Sequence, residues 1–360
     1  MTPDQIKAAL KAGIITQSQA DDMLGKAGNA SSQAARPIED EGNIAVIGNE
    51  ENLRFIRGFS DVFIAIGVVL LAIGLSALSA LMGGGLVYIG SALVMALMAD
   101  YFGRKKRAHL PTLITALAFL LFTQKGVGGF LADTGMDSAI TTSLITLGAM
   151  LLFYWRVRLP FCVALIALSV LSLFYTLLFR LAPDLTNGNV GWFLALGGLA
   201  TFAVALYYDS KDLHRTTRFS DNAFWLHLAA APLLIHGLAT EAVTMKANMA
   251  FGLIPMVDFK ESDAAIILII IGFVTFVGLA INRRALIVSS LGYAAFAIGY
   301  LIKNTGLGFG TVITITLLVL GAAIVFLGAG WHHARGALLK ILPKWRVFPP
   351  PYDPQYQKRS

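Results

Sequence analysis

Apolar runs of about 18 or more residues recur from residue 61 to residue 329, separated by short polar segments. A helix of that length crosses ~30 Å of hydrocarbon. Inside lipid, every backbone N–H and C=O must be satisfied within the protein, which leaves helices and closed barrels as the only spanning structures. Long continuous apolar runs favour helices, so the chain reads as an all-α, polytopic transmembrane helix bundle. Ten runs fit, at about 61–81, 84–101, 109–124, 138–155, 159–179, 190–208, 222–240, 264–281, 285–302 and 309–329. The third is short. Segment 242–262 reads either as an amphipathic helix on the outer face or as a partial re-entrant element. Charged residues make up 14% of the chain, against roughly 25% in soluble domains.

The distribution of basic residues predicts an orientation. With the N-terminus inside, five of the 28 Lys and Arg fall outside: Lys125, Arg180, Lys246, Lys260 and Lys303. The remaining 23 fall inside, and every inside loop holds at least two, as the positive-inside rule requires. This alternation predicts ten spans with both termini cytoplasmic. The net charge of +7 is then explained by topology and by contact with anionic lipid. No basic stripe with interleaved aromatics points to nucleic acid.

The flanking regions are polar. Thr2-Pro3-Asp4-Gln5 and Thr16-Gln17-Ser18-Gln19 each resemble a helix start with a capping box. Residues 1–28 therefore read as a cytoplasmic helical hairpin, too small to be stable alone and suited to docking on a protein partner or a second copy. Residues 29–58 read as a linker that ends in a short interfacial helix, and 59–330 as the transmembrane bundle. Residues 331–360 read as a basic interfacial helix followed by a proline-rich tail, Phe348 to Pro354. The first sixty residues lack the pattern of a signal peptide, so the first span is expected to act as an uncleaved insertion signal.

Chemistry is sparse. No GxSxG and no His-Glu-x-x-His occurs, and the single Cys162 has no ligand cluster around it. Asp61, Asp100, Asp209, Asp221, Glu241 and Asp263 all fall at the ends of runs. Ion-coupled carriers use ionisable groups at membrane depth, so the expected bundle is free of buried charge and not an ion-coupled carrier. Four residues stand as candidates for a polar site. Asp61 and Asp221 belong to an internal echo, Arg57-Gly58-Phe59-Ser60-Asp61 and Arg218-Phe219-Ser220-Asp221, at the starts of spans one and seven. Its simplest reading is helix capping, and its alternative is a paired polar site at the inner face. His227 and His236 share span seven, but nine residues of helix turn them to opposite faces, so one ion cannot bind both. Metal, cofactor and catalytic residues are accordingly expected to be absent. Gly67 with Gly74, and Gly321 with Gly328, are spaced for close helix approach. Gly83-Gly84-Gly85 reads as a tight turn, and Gly126, Gly128 and Gly129 as flanking another loop.

The pattern IKAALKAGIITQSQADDMLGKAG, the linker and apolar runs after it, and the closing GAGWHHARGALLKILP resemble bacterial membrane proteins of the DUF2157 type. The resemblance implies a bacterial inner membrane, and it brings no activity and no functional residue with it. The function expected from the sequence is non-enzymatic interaction or assembly in the membrane. The alternative is a transporter or channel for a small or lipophilic solute. A polar cavity lined by residues such as Ser76, Ser79, Tyr88, Ser91 or His227 would favour the alternative, and a closed interior the first.

Overall fold

The computed structural model describes residues 59–134, 138–212, 217–242, 248–250, 254–256, 261–303 and 305–342, together with Ala12 and Thr16. The hairpin expected over 1–28, the linker over 29–58 and the proline-rich tail lie outside the described residues. The helices are α1 (Phe59–Met82), α2 (Gly85–Asp100), α3 (His109–Asp133), α4 (Ala139–Val157), α5 (Phe161–Leu181), the five-residue α6 (Pro183–Asn187), α7 (Val190–Lys211), α8 (Arg218–Ala242), α9 (Glu261–Ile281), α10 (Ala285–Lys303) and α11 (Phe309–Leu339). A π-helical turn, Tyr101–Lys106, prolongs α2.

Among the described residues, nine helices are long and apolar enough to cross a membrane, and the chain is a multi-pass membrane protein built as a helical bundle. The helix on the ninth expected run, α10, is not one of those nine. It has 19 residues and packs against α8, α9 and α11.

Three expectations change. First, α3 does not stop at 124 but continues to Asp133, so Gly126, Gly128 and Gly129 lie inside a helix. Glycine there costs helix propensity, but it lets α2 come close. A Cβ on Gly126 would sit 2.8 Å from Ile89 N, and one on Gly85 would sit 2.7 Å from Phe130 Cα. Gly83 and Gly84 do make the expected turn, with φ of 69° and 84°. Second, within 242–262 the chain forms two short antiparallel strands, β1 (Asn248–Ala250) and β2 (Ile254–Met256), with Asn248 opposite Met256. Pro255 and Gly252 both disfavour the expected helix. Third, Gly67, Gly74, Gly321 and Gly328 have no packing neighbour within 4 Å of an added Cβ, so these pairs do not mediate close approach among the described residues.

The core lies in two runs of sequence. In the first, α2, α3, α4 and α5 enclose Ala99, Ala116, Leu120, Met150, Phe153, Cys162 and Leu165, which gives Cys162 a packing role. In the second, α8, α9 and α10 enclose Ala239, Ile267, Ile271 and Ala297, with Ile235, Val274 and Leu286 beside them. Helices α5 and α8 join the two, where Phe161 meets Trp225 edge-on at 4.7 Å between ring centroids. The apolar side chains that face outward, such as Phe63, Leu70, Phe273 and Leu318, are solvated by lipid tails.

The α7–α8 pair is the most intimate in the bundle. Gly191 and Ala195 of α7 face Gly237 of α8, where an added Cβ would lie 2.6 Å from Gly191 O and 2.9 Å from Ala195 Cα. Small residues at such a crossing let two backbones touch. Glu241 then reaches across, accepting a hydrogen bond from Trp192 N at 3.0 Å. It thereby puts a carboxylate on the N-terminal turn of α7, which favours negative charge.

Candidate functional site

The α7–α8 hairpin carries the most polar part of the interior. Asp209 sits in the last turn of α7, and antiparallel packing puts His227 of α8 opposite it. His227 is fully buried, and its Nε2 lies 2.8 Å from Asp209 Oδ2. A carboxylate only accepts, so that nitrogen carries the proton. A third member arrives from the turn between α9 and α10. Asn282 is left-handed at φ 59°, and Arg283 N bonds back to Gly278 O at 2.7 Å, which closes α9 as a left-handed terminus does. This turn aims Arg283 into the bundle, where its side chain is 1% exposed. Its Nε donates to Asp209 Oδ2 at 3.1 Å, and its Nη2 donates to Asp209 Oδ1 and to Ser220 Oγ at 3.3 Å.

The result is a fork of guanidinium on carboxylate, with an imidazole as third donor. Paired forks of this kind are the strong form of the charge-assisted hydrogen bond. The pair is electrically neutral, and the Asp209 oxygens are occupied by three donors. Ser220, His227 and Asp209 match a hydrolytic triad by residue type but not by connection. Ser220 Oγ accepts from Arg283, and His227 Nε2 bonds Asp209, so these contacts do not link imidazole to hydroxyl as a triad does. The geometry therefore acts as a polar lock tying α7, α8 and the α9–α10 turn.

The lock extends to the last helix. Trp331 of α11 is 2% exposed. Its indole Nε1 donates to Asn282 Oδ1 at 2.8 Å, and the Arg284 guanidinium lies 5.3 Å from its ring centroid. Of three consecutive residues, Arg283 thus engages α7 and α8, while Asn282 and Arg284 both engage Trp331 of α11. Trp331→Phe is expected to keep the fold and to lower its stability by about 1–2 kcal/mol, through the lost hydrogen bond and weaker cation–π contact. Thermal unfolding of the full chain in detergent measures this, and an unchanged midpoint would show that the bond contributes nothing.

Of the four residues singled out from the sequence, His227 enters this cluster. His236 faces α10 instead, 6.4 Å from the Tyr293 ring centroid, so the two histidines do serve different neighbours. Asp61 lies buried in the first turn of α1, whose neighbours are α2 and α3. Asp221 lies in the first turn of α8, whose neighbours are α5, α7, α9 and α10. Asp61 and Asp221 thus stand at the starts of helices with different neighbours. At the start of α8, Thr217 and Asp212 engage free backbone and side-chain donors. Thr217 Oγ1 accepts from Phe219 N at 3.3 Å, and Asp212 Oδ2 accepts from Thr217 N and Thr217 Oγ1, both at 2.7 Å. Ser220 serves Arg283 instead.

The expectation of an interior free of charge is overturned. Asp209 and Arg283 both flank apolar runs, where charges usually meet water, but the α9–α10 turn folds inward, buries Arg283 and leaves Asp209 partly buried. Lys125 also lies within α3, exposed and 5.8 Å from the Tyr88 ring centroid. Among the described residues, no three His, Cys, Asp or Glu side chains gather as metal ligands. Comparison with protein-family models, curated proteins and solved structures gave no match to this chain.

Proposed function

We propose that the chain is a non-enzymatic interaction or assembly protein of a bacterial inner membrane, with ten spans and both termini in the cytoplasm. The observation that carries this reading is the way the buried Ser79, Ser91 and His227 close on polar partners within the bundle, while the buried hydroxyls of Thr123, Thr142 and Thr146 have no hydrogen-bond partner among the described residues. Ser79 and Ser91 are buried and lie 3.1 Å apart, hydroxyl to hydroxyl, and each hydroxyl lies within hydrogen-bond reach of a carbonyl of its own helix. His227 is sealed against Asp209. A solute path requires such groups to face water, and here they face each other. The docking-sized segment 1–28 supports the same reading, with membrane lipid and a protein partner or second copy as its contacts.

Affinity purification of the full chain and of a chain lacking residues 1–28 tests it. The expected result is loss of co-purifying protein, or of self-association, on deletion, with the bundle still folded. Identical partners and an unchanged phenotype would sink the proposal. A second reading, a carrier or channel for a small or lipophilic solute, draws on the buried Asp209–His227–Arg283 cluster, because ionisable groups inside spans often mark transport paths. Solute flux in proteoliposomes, abolished by Asp209→Asn, would decide for it.

A further inference from the structure

One helix face is lined by a cavity with no part in the lock. Leu168, Leu171, Ser172, Tyr175, Thr176, Phe179 and Arg180 of α5 line a cavity of 520 Å³, closed by Leu233 of α8 and Ala139 of α4. Spacings of three and four residues put these α5 side chains on a single stripe. From Leu168 to Arg180 the stripe runs ~18 Å at 1.5 Å per residue, which makes the cavity a groove along a span and not a pit across it. The volume falls in the range of ~300–1,000 Å³ usual for ligand sites.

Its polarity is graded. Leucines line the deep end. In the middle, two of the three lining hydroxyls are engaged within the protein: Thr176 Oγ1 donates to Ser172 O at 2.8 Å, and Tyr175 Oη donates to Phe193 O at 3.0 Å. The exposed Arg180 stands at the mouth, in the last turn of α5, where a span meets the headgroup layer.

We infer that this groove seats one acyl chain of an anionic phospholipid, whose phosphate is held by Arg180. An acyl chain matches the length and dryness of the groove. A guanidinium matches a phosphate in charge and in fork geometry, and it stands where a headgroup would.

The test uses the full chain in bilayer nanodiscs carrying spin-labelled phosphatidylglycerol or spin-labelled phosphatidylcholine. A motionally restricted component is expected for phosphatidylglycerol, with apparent affinity at least about tenfold above phosphatidylcholine, the scale of a lost charge-assisted hydrogen bond. Leu171→Trp and, separately, Leu168→Trp should fill the groove and remove that component. Arg180→Gln should erase the headgroup preference while keeping the restricted chain, and Arg180→Lys should restore part of it. Unfolding midpoints of the variants distinguish a filled groove from a misfolded bundle. Equal restricted fractions in the wild type and both folded tryptophan variants overturn the inference. So does displacement of the label by fatty acid but not by unlabelled phosphatidylglycerol.

Discussion

Arg283→Met is expected to lower the stability of the folded chain by about 3–5 kcal/mol, the usual cost of removing one partner from a buried ion pair. The substitution leaves the Asp209 carboxylate inside the bundle with His227 as its remaining donor from this cluster, and a desolvated carboxylate needs more than one. The decisive measurement is a double-mutant cycle. Asp209→Leu combined with Arg283→Met removes both charges at once, and the double variant should be more stable than the sum of the single losses predicts, by about 0.5–3 kcal/mol. Additive losses would mean that the two residues act independently and that the lock is not a unit. The fork geometry also makes Arg283→Lys non-conservative, because an ammonium cannot reach both carboxylate oxygens in one plane.

Gly237→Leu should be comparably severe, for a steric reason. The atoms an added side chain would meet are Ala195 Cα and Gly191 O, and backbone cannot move aside as a flexible side chain can. Overpacking usually costs about 1–3 kcal/mol, and a crossing of two backbones falls at or above the top of that range. Separating α7 from α8 also pulls Glu241 away from Trp192 N and loosens Asp209 from His227, so one substitution weakens three interactions. Gly148→Leu is the control, since a Cβ there meets nothing within 4 Å. Thermal midpoint and yield in detergent should collapse for the first variant and stay near wild type for the second. A Gly237→Leu chain as stable as the control would show that the crossing tolerates separation.

The bundle is legible in the sequence because hydrophobic length is a direct physical requirement of the bilayer. Each apolar run from 61 to 329 contains a helix. The glycines are less legible. The same residue type serves a turn at Gly83 and Gly84 and a backbone crossing at Gly126 and Gly237, and composition does not separate the two uses. The lock could not be read at all. Asp209 and Arg283 are 74 positions apart, and each flanks an apolar run, where a charge normally faces water. Only the inward fold of the Asn282 turn brings them together. His227 offered the one available signal, a histidine inside an otherwise apolar run, but its partner was hidden for the same reason.

The separation of 74 residues also acts in time. The α7–α8 hairpin can leave the insertion machinery with its glycines already in contact and with Asp209 beside His227. Arg283 is still inside the ribosome, or not yet made, when that hairpin reaches the bilayer. A half-synthesised chain therefore holds an acidic group awaiting its cation. A chain truncated before residue 283 keeps Asp209 without that cation.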